Sequence, residues 1–187
     1  MKNLFWGLKS NFGIVVLTLF LCLMMPDCLH AKSKVEIDQS VSAALNRFRL
    51  EIPAAKSLLD DAKAILIIPG VVKGGFWLGG EYGEGAMLVN GKVFDYYNIV
   101  SASFGFQFGV QKKDIILLFM EDSSFRQFRA GEGWEIGVDG SVAVINVGTE
   151  GSIDTTKTNQ PVIGFIMGQK GLMFDVSLEG TKFNRIQ

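Results

Sequence analysis

What this chain lacks most is reactive side-chain chemistry. It holds two cysteines and one histidine in 187 residues, and Cys22, Cys28 and His30 all fall within the first 31. Beyond that point there is neither thiol nor imidazole, which excludes a disulfide, a Ser-His-Asp or Cys-His nucleophile and a His-ligated zinc. An excess of positive charge is missing too. The net charge is -1 and the pI about 5.9, so no global field gathers nucleic acid. No apolar run reaches the roughly 20 residues of a spanning helix. No linker, low-complexity tract or internal repeat divides the chain. With 48% hydrophobic residues, its stability has to come from one apolar core and its backbone ladders.

The first 31 residues have the three parts of an export signal. Lys2 and Lys9 make a positive start, Ile14 to Met25 reads IVVLTLFLCLMM, and Pro26 and Asp27 end the run. Cleavage is expected after Ala31, although Leu29 is larger than the residue usual at the minus-three position; the alternative is an uncleaved anchor. A lipid-modified cysteine fits less well, because Cys22 follows Leu21 and Cys28 follows Asp27 rather than a small residue. Without Lys2, Lys9 and Asp27 the chain keeps 16 basic and 18 acidic side chains, a net charge of -2.

Residues 32–187 read as a single α+β domain, with N-terminal helices followed by a mainly antiparallel, barrel-like or sandwich β-sheet of seven to nine strands. Val41, Ala44, Leu45 and Phe48 form a helical stripe between Val35 and Leu50. Pro53 then opens a second helix running to about Lys63. Ala64 to Ile68 is a short apolar strand closed by Pro69 and Gly70. Asn90-Gly91 marks a tight hairpin. From Ser101 to Gln111 the residues alternate as one strand, with Ser101, Ser103, Gly105, Gln107, Gly109 and Gln111 on a polar face and Ala102, Phe104, Phe106, Phe108 and Val110 on a core face. After Ile115 to Met120, Asp122 caps a short helix carrying Phe125 and Phe128. Trp134 to Val138 and Ser141 to Val147 flank a turn at Asp139-Gly140. Thr149 to Gln160 is a polar loop, and Val162 to Met167 pairs with Leu172 to Gly180 around GQKG.

The segment ILIIPGVVKGGFWLGGEYGEG, Ile65 to Gly85, is the least ordinary stretch. A phosphate-cradling loop does not fit, because Lys73 lacks the Gly-Lys-Ser/Thr setting and Gly80, Gly83 and Gly85 reverse the dinucleotide spacing. Glycines that let strands bend and pack against Phe76, Trp77 and Tyr82 explain the composition. The other reading is a surface where Lys73 and Trp77 meet an amphipathic ligand.

Four segments together resemble the SYLF lipid-binding domain family, also described as the actin-binding domain of a yeast actin-patch protein. They are AKAILIIPGVVKGGFWLGGEYGEG, YYNIVSASFGFQFGVQ, FRAGEGWEIGVDGSVAV and QKGLMFDVSLEGTKFNRI, in order and spread across nearly all of the span from Ala54 to Ile186. The resemblance implies phospholipid binding, with phosphoinositide preference in eukaryotic relatives that carry further modules. This chain departs from them in its export signal, so the transferable expectation is an anionic phospholipid or membrane surface in the periplasm or envelope, as for an exported bacterial member. It also implies membrane contact through the amphipathic N-terminal region and basic residues, here Arg47, Arg49, Lys56, Lys63 and Lys73, with Phe76 and Trp77 beside them. Each basic group contributes roughly 1 kcal/mol at an anionic surface. Core packing of the helix stripe is the plainer alternative. Lys112-Lys113 and Lys182 with Arg185 are secondary basic candidates. Reversing Lys73 and Arg47 to Glu is expected to weaken vesicle association while leaving the domain folded.

No enzyme, cofactor or nucleic-acid partner is expected. Glu81, Glu84 and Asp95 are the carboxylates a glycosidase reading would use, but nothing in their spacing selects it. The alternative to lipid binding is a structural role, with an envelope protein as partner at a sheet edge or aromatic patch.

Overall fold

The computed structural model describes residues 32–75, 78–104, 109–131, 133–147, 159–171 and 178–186. The chain divides into two compact units, Met1–Lys32 and Ser33–Gln187, and all the described helices and strands belong to the second. The expected signal and the body of the polar loop lie outside the described residues.

Helix α1, Lys34–Glu51, begins with a reciprocal cap: the Glu36 amide donates to the Ser33 hydroxyl, and the Glu36 carboxylate accepts from the Ser33 amide at 2.8 Å. Such a box satisfies two of the amides that helix geometry leaves without partners. Ile37, Val41, Ala44, Leu45 and Phe48 are all buried, so the stripe read from the sequence is core. Phe48 meets Phe165 edge to face at 4.9 Å. Burying side chains of this size stabilises by about 1.5–3 kcal/mol each, which makes this stripe the attachment of the helix. Pro53 starts a single 3-10 turn, Pro53–Ala55, before helix α2, Lys56–Asp61.

Eight strands follow: β1 Ala64–Gly75, β2 Leu78–Val89, β3 Lys92–Phe104, β4 Gly109–Phe119, β5 Gly133–Glu135, β6 Ala143–Asn146, β7 Val162–Gly171 and β8 Lys182–Ile186. Helix α3, Asp122–Ala130, lies between β4 and β5, so the helices are not all N-terminal. The strands form one sheet in the order β5-β8-β3-β2-β1-β4-β7-β6, antiparallel except for β6 with β7. A sandwich is therefore the wrong half of the expectation. The sheet is single and curled part-way toward a barrel, and its end strands β5 and β6 do not pair with each other.

Each face carries its own core. On the first face α1 and α2 cover Ile67, Ala86, Leu88, Ile116 and Leu118. On the second, Phe128 of α3 packs among Tyr97, Phe119, Trp134 and Phe183, with ring centroids 4.9–6.0 Å apart. Asp122 stands inside the first turn of α3 and does not cap it; Glu121 holds the cap position without a side-chain bond to a helix amide, its carboxylate accepting instead from the Ser123 hydroxyl at 3.0 Å.

Strand β1 does not stop at Pro69-Gly70. Ile68 pairs with Ile115 and Val71 with Lys113, so two residues of β1 oppose the single Asp114. This bulge accommodates a proline that has no amide to give a ladder, and Gly70 takes φ +64 in it. A second bulge lies across β4. Lys112 pairs with Lys170 and Asp114 with Met167, leaving Gly168, also at φ +64, and Gln169 opposite Lys113. GQKG is thus strand with a bulge, not a hairpin turn; of the strand expected from Leu172 to Gly180, residues 172–177 lie outside the described residues, and it is β8, Lys182–Ile186, that pairs with β3.

Two other expectations change. Ser101 to Gln111 is not one strand: its ends belong to β3 and β4, which the β1–β2 hairpin separates in the sheet. The segments around Asp139-Gly140 become β5 and β6 on opposite edges, because β5 takes its hydrogen bonds from β8 and β6 from β7. The Asn90-Gly91 hairpin is as expected, with φ of 52° and 72°.

Gly85 lies where β2 crosses the bulge, and a Cβ there would overlap the Ile67 carbonyl oxygen. Gly85→Ala is expected to lower unfolding stability by about 2 kcal/mol or more. At Gly91 a Cβ would have open space and only the positive φ to oppose it, so Gly91→Ala should lose about 1 kcal/mol. Urea denaturation of the two variants measures the difference; equal losses would contradict the close approach at Gly85.

Candidate functional site

The bulges bring three groups together at Asp114. Its carboxylate accepts from the Gly70 amide at 2.8 Å and from the Arg47 guanidinium. A buried carboxylate holding a backbone donor and a cation is a structural clamp, and it fixes the last turns of α1 over β4. Arg47 is 46% exposed at its side chain, yet its charge is committed to this pair.

Past Asp114 the sheet reverses its sidedness. On the second face Gln111, Lys73, Glu81 and Ser101 stand opposite one another on β4, β1, β2 and β3, and Gln111, Lys73 and Glu81 are buried. The ammonium groups of Lys73 and Lys113 lie 3.4 and 3.2 Å from the same Glu81 oxygen. Among the described residues, the other Glu81 oxygen and both polar atoms of the Gln111 amide have no hydrogen-bond partner. On the first face, where none of the described helices covers the sheet, Val72, Tyr82, Val100 and Val110 are exposed, Val110 by 66%. At the described ends of the stretch from Ser101 to Gln111, Ala102 and Val110 face outward while Gln111 is buried and Ser101 half-buried, so the core face expected there is reversed; residues 105–108 lie outside the described residues.

Of the residues singled out in the sequence, Arg49, Lys56 and Lys63 are exposed. Arg49 and Lys56 meet at a recess of about 470 Å³ where α1 turns into α2, lined also by Ile52, Pro53, Leu59 and Asp60. Lys56 is ion-paired with Asp60 at 2.6 Å. Lys63 does not line the recess. Lys73 is 3% exposed, so it is no surface charge; Phe76 and Trp77 lie outside the described residues. Charge reversal of Lys73 would place carboxylates side by side in the interior, and reversal of Arg47 would set it against Asp114, so that pair of substitutions probes folding rather than binding. Among the secondary candidates Lys112, Lys182 and Arg185 are exposed, while Lys113 is 1% exposed.

Glu81 and Glu84 occupy opposite faces of β2, and Asp95 pairs with Arg129 at 3.5 Å, so these carboxylates do not converge on a sugar-sized site. Among the described residues no three carboxylates, thiols or imidazoles come together to hold a metal.

Residues 100–186 match the family model described as Ysc84, Las17-binding protein actin regulator. That segment is similar to the Ysc84 (SYLF) family. No curated protein matches the chain. The Ysc84 segment spans just under half of the sequence, from Val100 in β3 to Ile186 in β8. Its strands do not make a sheet alone, because β1 and β2 stand between its β3 and β4. The glycine-rich hairpin is thus the middle of the sheet to which the Ysc84 segment belongs.

The Tyr82 hydroxyl donates to Glu84 at 2.6 Å. Burial of the hydroxyl, followed by that bond and the Glu84 charge, pushes the phenol up to about 12. Burial foremost also raises Tyr96 and Tyr97. A phenol with its pKa raised on folding holds its proton more tightly in the native state, so its contribution to stability is intact below about 10 and is lost as the pH rises through about 12. Absorbance titration of the phenolate band should show no tyrosine ionising at its ordinary pH, and Glu84→Gln should bring one of the three down. If Glu84→Gln leaves the titration unmoved, the carboxylate does not act on Tyr82.

Proposed function

We propose that this protein binds anionic phospholipid without catalysing a reaction, and that it does so as an exported protein at an envelope membrane. The observation that carries the reading is the recess between α1 and α2: Arg49 and Lys56 stand at an apolar lining of Ile52, Pro53 and Leu59. A phospholipid headgroup with its glycerol has the same division, anionic at one end and apolar at the other, and a recess of about 470 Å³ accommodates it. The Ysc84 match supports this at the level of the family, and the export signal supports the compartment. Phosphoinositide selectivity does not follow, because two cations beside one carboxylate recognise a phosphodiester rather than a particular inositol.

A protein partner is the second reading. It is favoured by Val93 and Phe94, exposed just past the β2–β3 turn, where the Arg129 guanidinium stacks over Phe94 at 4.4 Å. The family description names a protein partner, Las17, for the relatives it was built on. Retrieval of one cross-linked envelope protein dependent on Phe94, with no lipid binding, would decide for it.

Arg49→Glu with Lys56→Glu is expected to weaken binding to phosphatidylglycerol vesicles by about tenfold or more, leaving the weaker association with neutral phosphatidylcholine vesicles unchanged. Co-sedimentation across a salt series measures both. Equal binding of wild-type protein to the two vesicle types at low salt would remove the case for an anionic ligand.

A further inference from the structure

The reversed end of the sheet has a layout that the recess does not explain. One rung of the ladder crosses seven strands in register: Lys170, Lys112, Val72, Tyr82, Val100, Lys182 and Glu135. At about 4.8 Å per strand it runs for roughly 29 Å. Its centre is apolar and aromatic, and lysines flank that centre on both sides. Two residues further toward the sheet end, the next rung on this face is Val110, Gly74, Gly80 and Ala102, without a charge. The sequence carries no charged residue between Lys73 and Glu81, or between Ser101 and Gln111, and Gly75 pairs with both Gly79 and Gly109, so these uncharged stretches meet at the same end of the sheet.

We infer that this end of the sheet enters one leaflet of an anionic membrane by its first face, with Val72, Tyr82, Val100 and Val110 in contact with lipid and Lys112 and Lys182 at the headgroup level. The inference rests on the phospholipid reading but not on the recess. Three observations select a bilayer over a protein groove. The cations fall on one level along the strand axis, as groups facing a planar layer of phosphates do. On the four central strands the described residues beyond that level on this face, Val110, Gly74, Gly80 and Ala102, are apolar or glycine. Polar residues point inward and apolar ones outward, the pattern of sheets in lipid and the opposite of sheets in water. Depth is limited by strand length: β2 begins at Leu78, four residues past Tyr82, or about 13 Å, against about 15 Å for half the hydrocarbon layer. The strands therefore reach into one leaflet and do not span two.

The amphipathic helix is not the inserting element. Its apolar stripe is occupied by the sheet, and freeing it would expose the core. Among the described residues no helix is long and apolar enough to cross a membrane. Arg47 holds the C-terminal part of α1 to Asp114, two residues along β4 from Lys112, so the helix ends beside the lysine level rather than below it.

The test uses the full chain with Cys22→Ser and Cys28→Ser, and an environment-sensitive fluorophore on Val110→Cys or, separately, on Val35→Cys. Val35 is 64% exposed in the first turn of α1, the end of the helix away from Asp114, and serves as the reference. With vesicles of equal parts phosphatidylglycerol and phosphatidylcholine, the label at 110 should shift to the blue and be quenched by spin-labelled acyl chains, while the label at 35 stays in water. Val72→Asp with Val110→Asp should weaken vesicle binding by about tenfold or more. Protein that pellets with vesicles while the label at 110 stays aqueous overturns leaflet entry and leaves phospholipid binding standing. Equal shifts at both positions, or unchanged binding of the double variant, also overturn it. Protein that does not pellet overturns both readings.

Discussion

The clamp at Asp114 decides where this sheet changes character. The carboxylate sits between two strands that each carry an extra residue, and it takes the Gly70 amide from one side and Arg47 of α1 from the other. Bulges increase local twist and bend the strand that carries them, so two adjacent bulges turn the far ends of β1, β4 and β7 away from the helix together. On one side of Asp114 the first face lies under α1, and both faces are core. On the other side it is bare. Without the buried acceptor, the bulge amide and the guanidinium would lose a shared partner, and α1 would lose its polar anchor over β4.

The sequence was legible where a residue's chemistry acts within a few positions of itself. The α1 stripe, the Asn90-Gly91 hairpin and the strand character of most segments follow from spacing and turn preference, and the structure has them. The pairing of strands was not legible in the same way. Residues 101–111 alternate continuously, yet alternation says only which residues share a face, not whether the chain leaves one strand for another. The segments around Asp139-Gly140 likewise look like a hairpin locally, and the competition among distant partners sends them to opposite edges. Pro69 signals the end of a strand only when a bulge is not available to absorb it.

The site was legible in part, for a related reason. Arg49 and Lys56 are seven residues apart and meet because the Pro53–Ala55 turn folds α2 back on α1, so choosing basic residues near the helices found them. Choosing basic residues by sequence also took in Arg47 and Lys73, which are held by Asp114 and Glu81. The lysine rung could not be found from spacing, because Lys112 and Lys182 become neighbours of one surface only through the register of five strands. The signal that was present is the absence of charge in two glycine- and phenylalanine-rich stretches, which reads as ordinary core until the sheet shows which face is inside.

A sheet end built this way is poorly suited to water on both sides. Inside, Lys73, Lys113 and Glu81 have given up hydration for contacts that include 3.4 and 3.2 Å to one Glu81 oxygen, an arrangement whose desolvation penalty can exceed its attraction, and the Gln111 amide gains no hydrogen bond among the described residues. Outside, valines and a tyrosine ring face solvent, where each forgoes the stabilisation that burial would give it. Exchanging the two faces would relieve both problems in water, since polar side chains would be hydrated and valines buried. The same exchange would be costly in contact with acyl chains, where exposed lysines and glutamate are the expensive choice and valines the favourable one. The sequence retains the arrangement that water disfavours, as the leaflet entry we propose requires, with lipid on the first face and the polar cluster enclosed behind it.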